Sequence, residues 1–380
     1  MSGRHKFGQP RVLPAPSRLS EPRVAIVHYW FVAMRGGERV VERLLKLYPQ
    51  ADLFAHVSDP ACLSSTLKQA RMTTSFIDRL PFSKRLYQYY LPLMPMALEG
   101  FDLSAYDLVI SSESGPAKGV ITRPDALHVC YCHSPMRYLW DHYHEYRRQT
   151  RGLARLAMPP IYSRLRQWDV SSSARVDRFA ANSRFIRQRI RKVWRREAEV
   201  IHPPVDVGLF TPSLETDAYY LWVGAMVPYK RPDIAVDAFN ANGLPLVMVG
   251  AGSMLKSLRA RARGNITFVE RMDFNTLRRT FARARAYVMT AEEDFGITPV
   301  EAMASGRPVI AFGRGGALDS VVPNRTGILF ERQDGESLRE AVERMEDFLP
   351  SFDPADAIDQ ASEFAPERFD ARFAEFARLA

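Results

Sequence analysis

Cysteine is scarce in this chain of 380 residues: there are three, Cys62, Cys130 and Cys132. So few thiols cannot build a disulfide framework, and they point to a reducing compartment. The run Cys130-Tyr131-Cys132-His133 has ligand residues at short spacing. Closely spaced cysteines on a strand usually pack as small apolar side chains, however, and no metal is expected there. Long hydrophobic runs are also lacking. The most apolar stretch, 89–101, is broken by Pro92 and Pro95, so nothing in the sequence is long enough to span a bilayer. Residues 1–22 contain Pro10, Pro14, Pro16 and Pro22 but no apolar core, which reads as a flexible tail and not as a secretory leader.

What is present describes a globular protein of two cores. Hydrophobic residues make up 46% and charged residues 25%, and the length exceeds that of one ordinary domain. The formal charge of +9 is unevenly placed, with fifteen Arg or Lys residues between Arg147 and Arg196, interleaved with Leu, Ile, Tyr and Trp. Such a region suits a solvated helix face or an anionic lipid surface. Nucleic acid would require basic and aromatic readout modules that the sequence does not contain, so it is not an expected partner.

Short apolar runs alternate with helical ones, the pattern of parallel α/β sheets. Strands are expected at 23–28, 108–111, 127–131 and 178–182, then at 220–223, 246–249, 266–269, 286–289 and 308–311. His202-Pro203-Pro204 interrupts the pattern and serves as a natural linker. The expected organisation is a tail at 1–22, a first domain at 23–202, a second at 203–355, and a helical segment at 356–380. The last helix is amphipathic through Phe369, Phe373 and Phe376.

The chemistry concentrates at 291–310. Glu293 and Glu301 lie eight positions apart around a turn containing Phe295, Gly296 and Ile297. Thr298 reads as an N-cap, with Pro299 at the first helical position and Glu301 completing a capping box. The N–H groups of 295–297 would then face a ligand at a positive helix end, where a phosphate can sit. Helical spacing would hold the two carboxylates about 12 Å apart. That exceeds the roughly 5–10 Å of a glycosidase pair. Phosphate cradle and carboxylates together suit a nucleotide-sugar. Glu301 has a second reading, as nothing more than the closure of its own helix.

Further runs accompany 291–310: 223–233 around Lys230, Val249-Gly250-Ala251-Gly252, 313–317, Arg35-Gly36-Gly37-Glu38 and 132–141 beginning Cys132-His133. Together they resemble retaining glycosyltransferases of family 4 over residues 23–380. The resemblance implies the GT-B fold, in which two Rossmann-like domains with parallel sheets face each other and the terminal helix crosses back to the first. It implies a catalytic group of His133, Lys230 and Glu293, with Gly36, Gly37, Arg231, Gly250, Gly252, Phe295, Gly296, Ile297 and Glu301 at the donor. Neither cofactor nor metal is implied, because Lys230 and the amides near Gly296 stand where a cation would.

One position departs from the family pattern. The lysine is usually paired with an arginine five residues earlier, here Ala225, and Arg231 is the nearest candidate to compensate. Gly250-Ala251-Gly252 with Glu270 about twenty residues on also approaches an NAD fingerprint, but Leu255 replaces the third glycine. The blocks at 132–138 and 227–231 are most similar to bacterial mannosyltransferases that build surface polysaccharide from GDP-mannose. UDP-sugar transfer and non-hydrolysing nucleotide-sugar epimerisation remain open on the same architecture. The implied acceptor is a glycan, carried on polyprenyl diphosphate, at the cytoplasmic membrane face.

Overall fold

The computed structural model describes residues 21–213 and 215–379. Nearly all of the expected tail, 1–22, falls outside them. The first sheet has seven parallel strands: β1 (Val24–His28), β2 (Asp52–Ala55), β3 (Met72–Thr74), β4 (Leu108–Glu113), β5 (Leu127–Cys132), β6 (Arg178–Ala181) and β7 (Glu199–Val200). They run in the order β3-β2-β1-β4-β5-β6-β7. The second has six: β8 (Tyr220–Val223), β9 (Leu246–Val249), β10 (Ile266–Val269), β11 (Tyr287–Met289), β12 (Val309–Phe312) and β13 (Gly327–Phe330), in the order β10-β9-β8-β11-β12-β13. Helices cover both faces, which is why β1 and β12 are apolar on both sides and wholly buried. The expected pair of Rossmann-like domains is present.

Strand order reverses between β1 and β4 in one sheet and between β8 and β11 in the other. At such a reversal neighbouring loops diverge and leave a crevice beyond the carboxyl ends of the strands. The two crevices face one another, and the cleft between the domains is their union.

The chain end differs from the expected division. The helix Pro354–Ser362 belongs to the second domain, where Ala357 and Ala361 are fully buried beside Val300 and Ala304. Only the helix Pro366–Phe376 returns to the first domain. There Phe369 and Phe373 pack at 5.6 and 6.1 Å from the Tyr131 ring. Full burial of each such phenylalanine contributes about 1.5–3 kcal/mol, enough to hold the crossing. Arg43 on the helix Gly36–Leu47 clasps Asp370 from the same direction, with Nε 2.7 Å from Oδ1.

The cationic stretch 147–196 does not form one face. Arg175 donates to the Gly119 carbonyl and Glu99, Arg189 to Asp141 and Asp294, and Arg196 to the carbonyls of Ser173 and Val176. These arginines are structural ties. No helix among the described residues is long and apolar enough to cross a membrane.

Candidate active site

The cleft encloses about 1,100 Å³, and its walls are the loops that follow β1, β4, β5, β6, β8 and β11, with Pro203 after β7 and Ser253 after β9 at its edge. After β11 the chain turns at Gly296, whose φ of 83° is open to glycine at little cost. The helix Ile297–Ala304 starts directly after it, with no side-chain cap. Thr298 is therefore the second helical residue and not the N-cap, and the expected capping box with Glu301 does not form. The left-handed turn at Gly296 begins the helix two residues earlier than the Thr-Pro pair suggests. The first-turn amides still lack intrahelical acceptors, and Gly296, Ile297 and Thr298 line the cleft beside Phe295.

The loop carrying Glu293 is braced from behind by the run 313–317. A Cβ on Gly316 would collide with the backbone of Phe295, and the Gly316 amide donates to the Glu293 carbonyl at 2.8 Å. Opposite, after β8, a short turn Pro228–Lys230 brings the Lys230 ammonium to 3.0 Å from Glu293 Oε1. Burial is the largest single influence and would lower the Lys230 pKa, but the charge and hydrogen bond of Glu293 together with nearby Tyr229 outweigh it, and the net direction is upward. The lysine is thus held as a cation inside the cleft.

His133 follows β5 and lines the same cleft. Its Nε2 lies 2.8 Å from Ser112 Oγ, which lies 3.0 Å from His28 Nδ1. Burial, with His28 nearby, pushes the His133 pKa down to about 3, so the ring is neutral at physiological pH. It is equipped to exchange hydrogen bonds with a ligand hydroxyl, not to supply positive charge.

Gly36 and Gly37 open the helix that faces the second domain. A Cβ on Gly36 would come within 3.3 Å of Ile297 Cδ1, and one on Gly37 within 2.5 Å of the Tyr29 hydroxyl. Both positions therefore bring backbone close to the cleft. Gly250 and Gly252 lie behind it. Their missing side chains make room for the backbones of Gly224 and Met226, so they support the Lys230 loop from outside the cleft wall.

Arg231 turns away: its guanidinium engages Asp233 at 3.0–3.2 Å and the Gln333 carbonyl at 3.3 Å. It does not fill the place left by Ala225. Arg35 and Arg137, both from the first domain, line the cleft instead. Glu301 does not line the cleft either. It borders a separate cavity of about 110 Å³ with Arg39, Arg43 and Pro204, and burial raises its pKa to about 7 against the pull of Arg39.

Sequence reasoning missed the ties that close the two domains. Asp294 accepts from Arg137 at 2.5 Å and from Arg189 at 3.2 Å. The Ser183 hydroxyl donates to the Asp294 carbonyl, and Arg184 pairs with Asp319. His202 of the linker stacks 5.5 Å from Phe295. The available signal was local: Arg137 and Asp294 each sit inside a run already singled out. Among the described residues, no three His, Cys, Asp or Glu side chains converge as a metal site.

With this geometry in view, comparison with known proteins is informative. Residues 34–209 match the family described as Glycosyltransferase Family 4, and residues 210–348 that described as Glycosyl transferases group 1. An uncharacterized glycosyltransferase of Methanocaldococcus jannaschii is 27% identical over 44% of this chain and 48% of its own. A GDP-mannose-dependent alpha-(1-6)-phosphatidylinositol monomannoside mannosyltransferase of Mycobacterium tuberculosis is 31% identical over 36% of this chain and 39% of its own. The chain thus spans less than half the length of these relatives. Among solved structures, Alr3699/HepE of Anabaena in complex with UDP and glucose superposes with a TM-score of 0.66. It is 16% identical and covers 93% of this chain and 99% of its own.

Proposed function

Because the chain belongs to the family 4 glycosyltransferases with the GT-B fold, we propose that it is a retaining transferase moving mannose from GDP-mannose to a lipid-linked glycan acceptor. The observation that carries this reading is the convergence of Lys230, Glu293 and the first turn of Ile297–Ala304 on one wall, facing His133 on the other. The donor diphosphate lies on the Lys230 ammonium and the first-turn amides, both of which favour an anion. Glu293 accepts from donor sugar hydroxyls once Lys230 turns to the phosphate. The C1–phosphate bond breaks, the acceptor oxygen bonds C1 from the same face, and its proton passes to the departing phosphate oxygen. No general base and no metal take part. Neutral His133 orients a sugar hydroxyl. Glu301 is assigned to the nucleotide ribose, which requires it to reach the cleft from its present place beside Arg39.

A UDP-sugar donor is the second reading, favoured by the structural similarity to a protein bound to UDP and glucose. A ligand that binds only the folded state at a hundred times its Kd adds about 2.7 kcal/mol of stability. Thermal shift against GDP, UDP, ADP and their mannose and glucose conjugates separates the two donors. GDP is expected to raise the melting temperature most. A larger shift with UDP would reverse the donor assignment, and no shift with any nucleotide would remove the transferase reading.

A further inference from the structure

Behind the cleft wall, a row of polar groups begins at His133 and ends on a buried carboxylate. His133 Nε2 meets Ser112 Oγ at 2.8 Å, Ser112 Oγ meets His28 Nδ1 at 3.0 Å, and His28 Nε2 faces Glu38 Oε1 at 3.9 Å. Ser112, His28 and Glu38 are all buried, on β4, on β1 and in the first turn of the helix Gly36–Leu47. Neighbouring rings hold both imidazoles in place. Tyr29 and Phe31 lie 3.9 and 4.7 Å from His28, and Tyr131 stands edge-on 5.1 Å from His133. The transfer proposed above uses only the end of this row that meets the cleft.

The direction of the row follows from counting protons. Ser112 has a single hydroxyl hydrogen and two ring partners, so one imidazole must donate to its oxygen while the other accepts from it. Glu38 decides which. Its second oxygen accepts from the Arg35 amide at 2.9 Å, at the positive end of the helix. Burial is the largest influence on Glu38 and would raise its pKa, but His28 and the backbone amides outweigh it and the net direction is downward. It is therefore a carboxylate, with nothing to donate, and the nitrogen that faces it carries hydrogen. At 3.9 Å this is a contact of charge with dipole and not a hydrogen bond, and His28 Nε2 has no other partner among the described residues. Burial lowers the His28 pKa against the pull of Glu38, so the ring holds one proton and its Nδ1 accepts from Ser112. The Ser112 oxygen then accepts from His133 Nε2–H. Because His133 is neutral as well, its Nδ1 is left as a lone pair, unpartnered among the described residues.

We propose that Glu38, acting through His28 and Ser112, is a positioning residue that fixes the tautomer of His133, so that this ring offers the cleft an acceptor and selects a ligand hydroxyl that donates. The tautomer stands on the geometry of the row. That the hydroxyl belongs to the donor sugar rests on the proposed function.

Glu38→Gln tests the row. The glutamine carbonyl keeps the Arg35 amide, which turns the NH2 group towards His28 and reverses each hydrogen bond as far as His133. Long-range proton–nitrogen NMR spectra of histidine-labelled protein read the tautomer, and the signal lost in His133→Asn assigns the ring. Wild type should show His133 as Nε2–H, and Glu38→Gln should show it as Nδ1–H. Ser112→Ala interrupts the row with a smaller change and should leave a mixture of the two. A wild-type Nδ1–H ring, or one that ignores both substitutions, would overturn the proposal. Donors with fluorine at each sugar hydroxyl in turn read the consequence, since fluorine cannot donate. At one position, wild type should lose at least about tenfold more kcat/KM than Glu38→Gln does. The pull of fluorine on the breaking bond is common to both enzymes and cancels. Equal losses at every position would remove the selection of a donating hydroxyl. The expected tautomers in a protein that transfers no sugar would leave the row standing and sink the transferase reading.

Discussion

The Lys230 ammonium and the Glu293 carboxylate form an ion pair of 3.0 Å on one wall of the cleft, joining the loop after β8 to the loop after β11. Each group is the other's partner until a ligand arrives. On the proposed function, a donor bringing a diphosphate and sugar hydroxyls would offer both a better match, the phosphate for the lysine and the hydroxyls for the carboxylate. The pair keeps two charges ordered at modest cost, since neither is deeply buried.

Lys230→Ala should therefore lower turnover by about 10²–10³-fold, the usual cost of removing one group aimed at developing charge. The melting temperature should change little, because the side chain faces the cleft. Glu293→Gln should reduce kcat with GDP affinity nearly retained. A folded Lys230→Ala enzyme with wild-type turnover would remove the phosphate role.

Chelation checks the cation-free proposal. Turnover should be the same in EDTA as in its absence. If activity falls and Mg²⁺ or Mn²⁺ restores it, the diphosphate is held by a metal and not by Lys230 alone.

The pH dependence of stability should show two opposing slopes. Burial raises Glu301 to about 7, so between about pH 4.3, its unfolded value, and 7 the folded state binds more protons, and stability falls as pH rises. Glu301→Gln should abolish that slope and make the protein more stable than wild type at pH 8, by up to a few kcal/mol. Buried His56 and His128 and half-buried His133 are pushed down to about 4, 4 and 3. They remain neutral while the unfolded chain protonates near pH 6.5, so their contribution is complete above that pH and is lost as pH falls towards 3–4. Urea titrations at stepped pH resolve both slopes. An unchanged profile for Glu301→Gln would contradict the burial of its carboxyl.

Vesicle binding tests the membrane face. Anionic vesicles should retain the protein, neutral ones much less, because each cation close to the surface contributes about 1 kcal/mol. At 1 M salt the Debye length falls to roughly 3 Å, and most binding should be lost. Leu153→Asp with Leu156→Asp should weaken what remains. Equal retention by both vesicle types would assign the attachment to apolar contact, and retention by neither would return the arginines to solvent.

The strands that carry the site were readable because buried parallel strands are continuous apolar runs: Val24–His28, Leu127–Cys132 and Tyr220–Val223 announce themselves. Met72–Thr74 and Glu199–Val200 did not, since edge strands this short expose polar residues and need only one neighbour. Glu293, Lys230 and His133 follow from the motif runs that carry the family resemblance, and the fold does bring them to one cleft. The start of the helix at Ile297 was misread because Thr298-Pro299 is a strong local signal, and Gly296 overrides it by backbone geometry. Arg137 and Asp294 lie more than 150 positions apart, and no local pattern connects them. The placement of Glu301, Gly250 and Gly252 outside the cleft wall is likewise a matter of side-chain direction, which spacing alone does not carry.

The two passages of the chain between domains lie side by side. The Val205 amide, in the outgoing passage, donates to the Phe364 carbonyl in the returning one at 2.9 Å, and His202 packs 5.2 Å from the Phe364 ring. Two neighbouring tethers behave as the two pins of a door: they leave rotation about the line joining them and suppress sliding and twist. Any opening of the cleft would then be a swing about this corner, and it would have to break the ties at Asp294. Cutting the chain at 203 would not free a domain, because the last helix would still anchor the second half to the first.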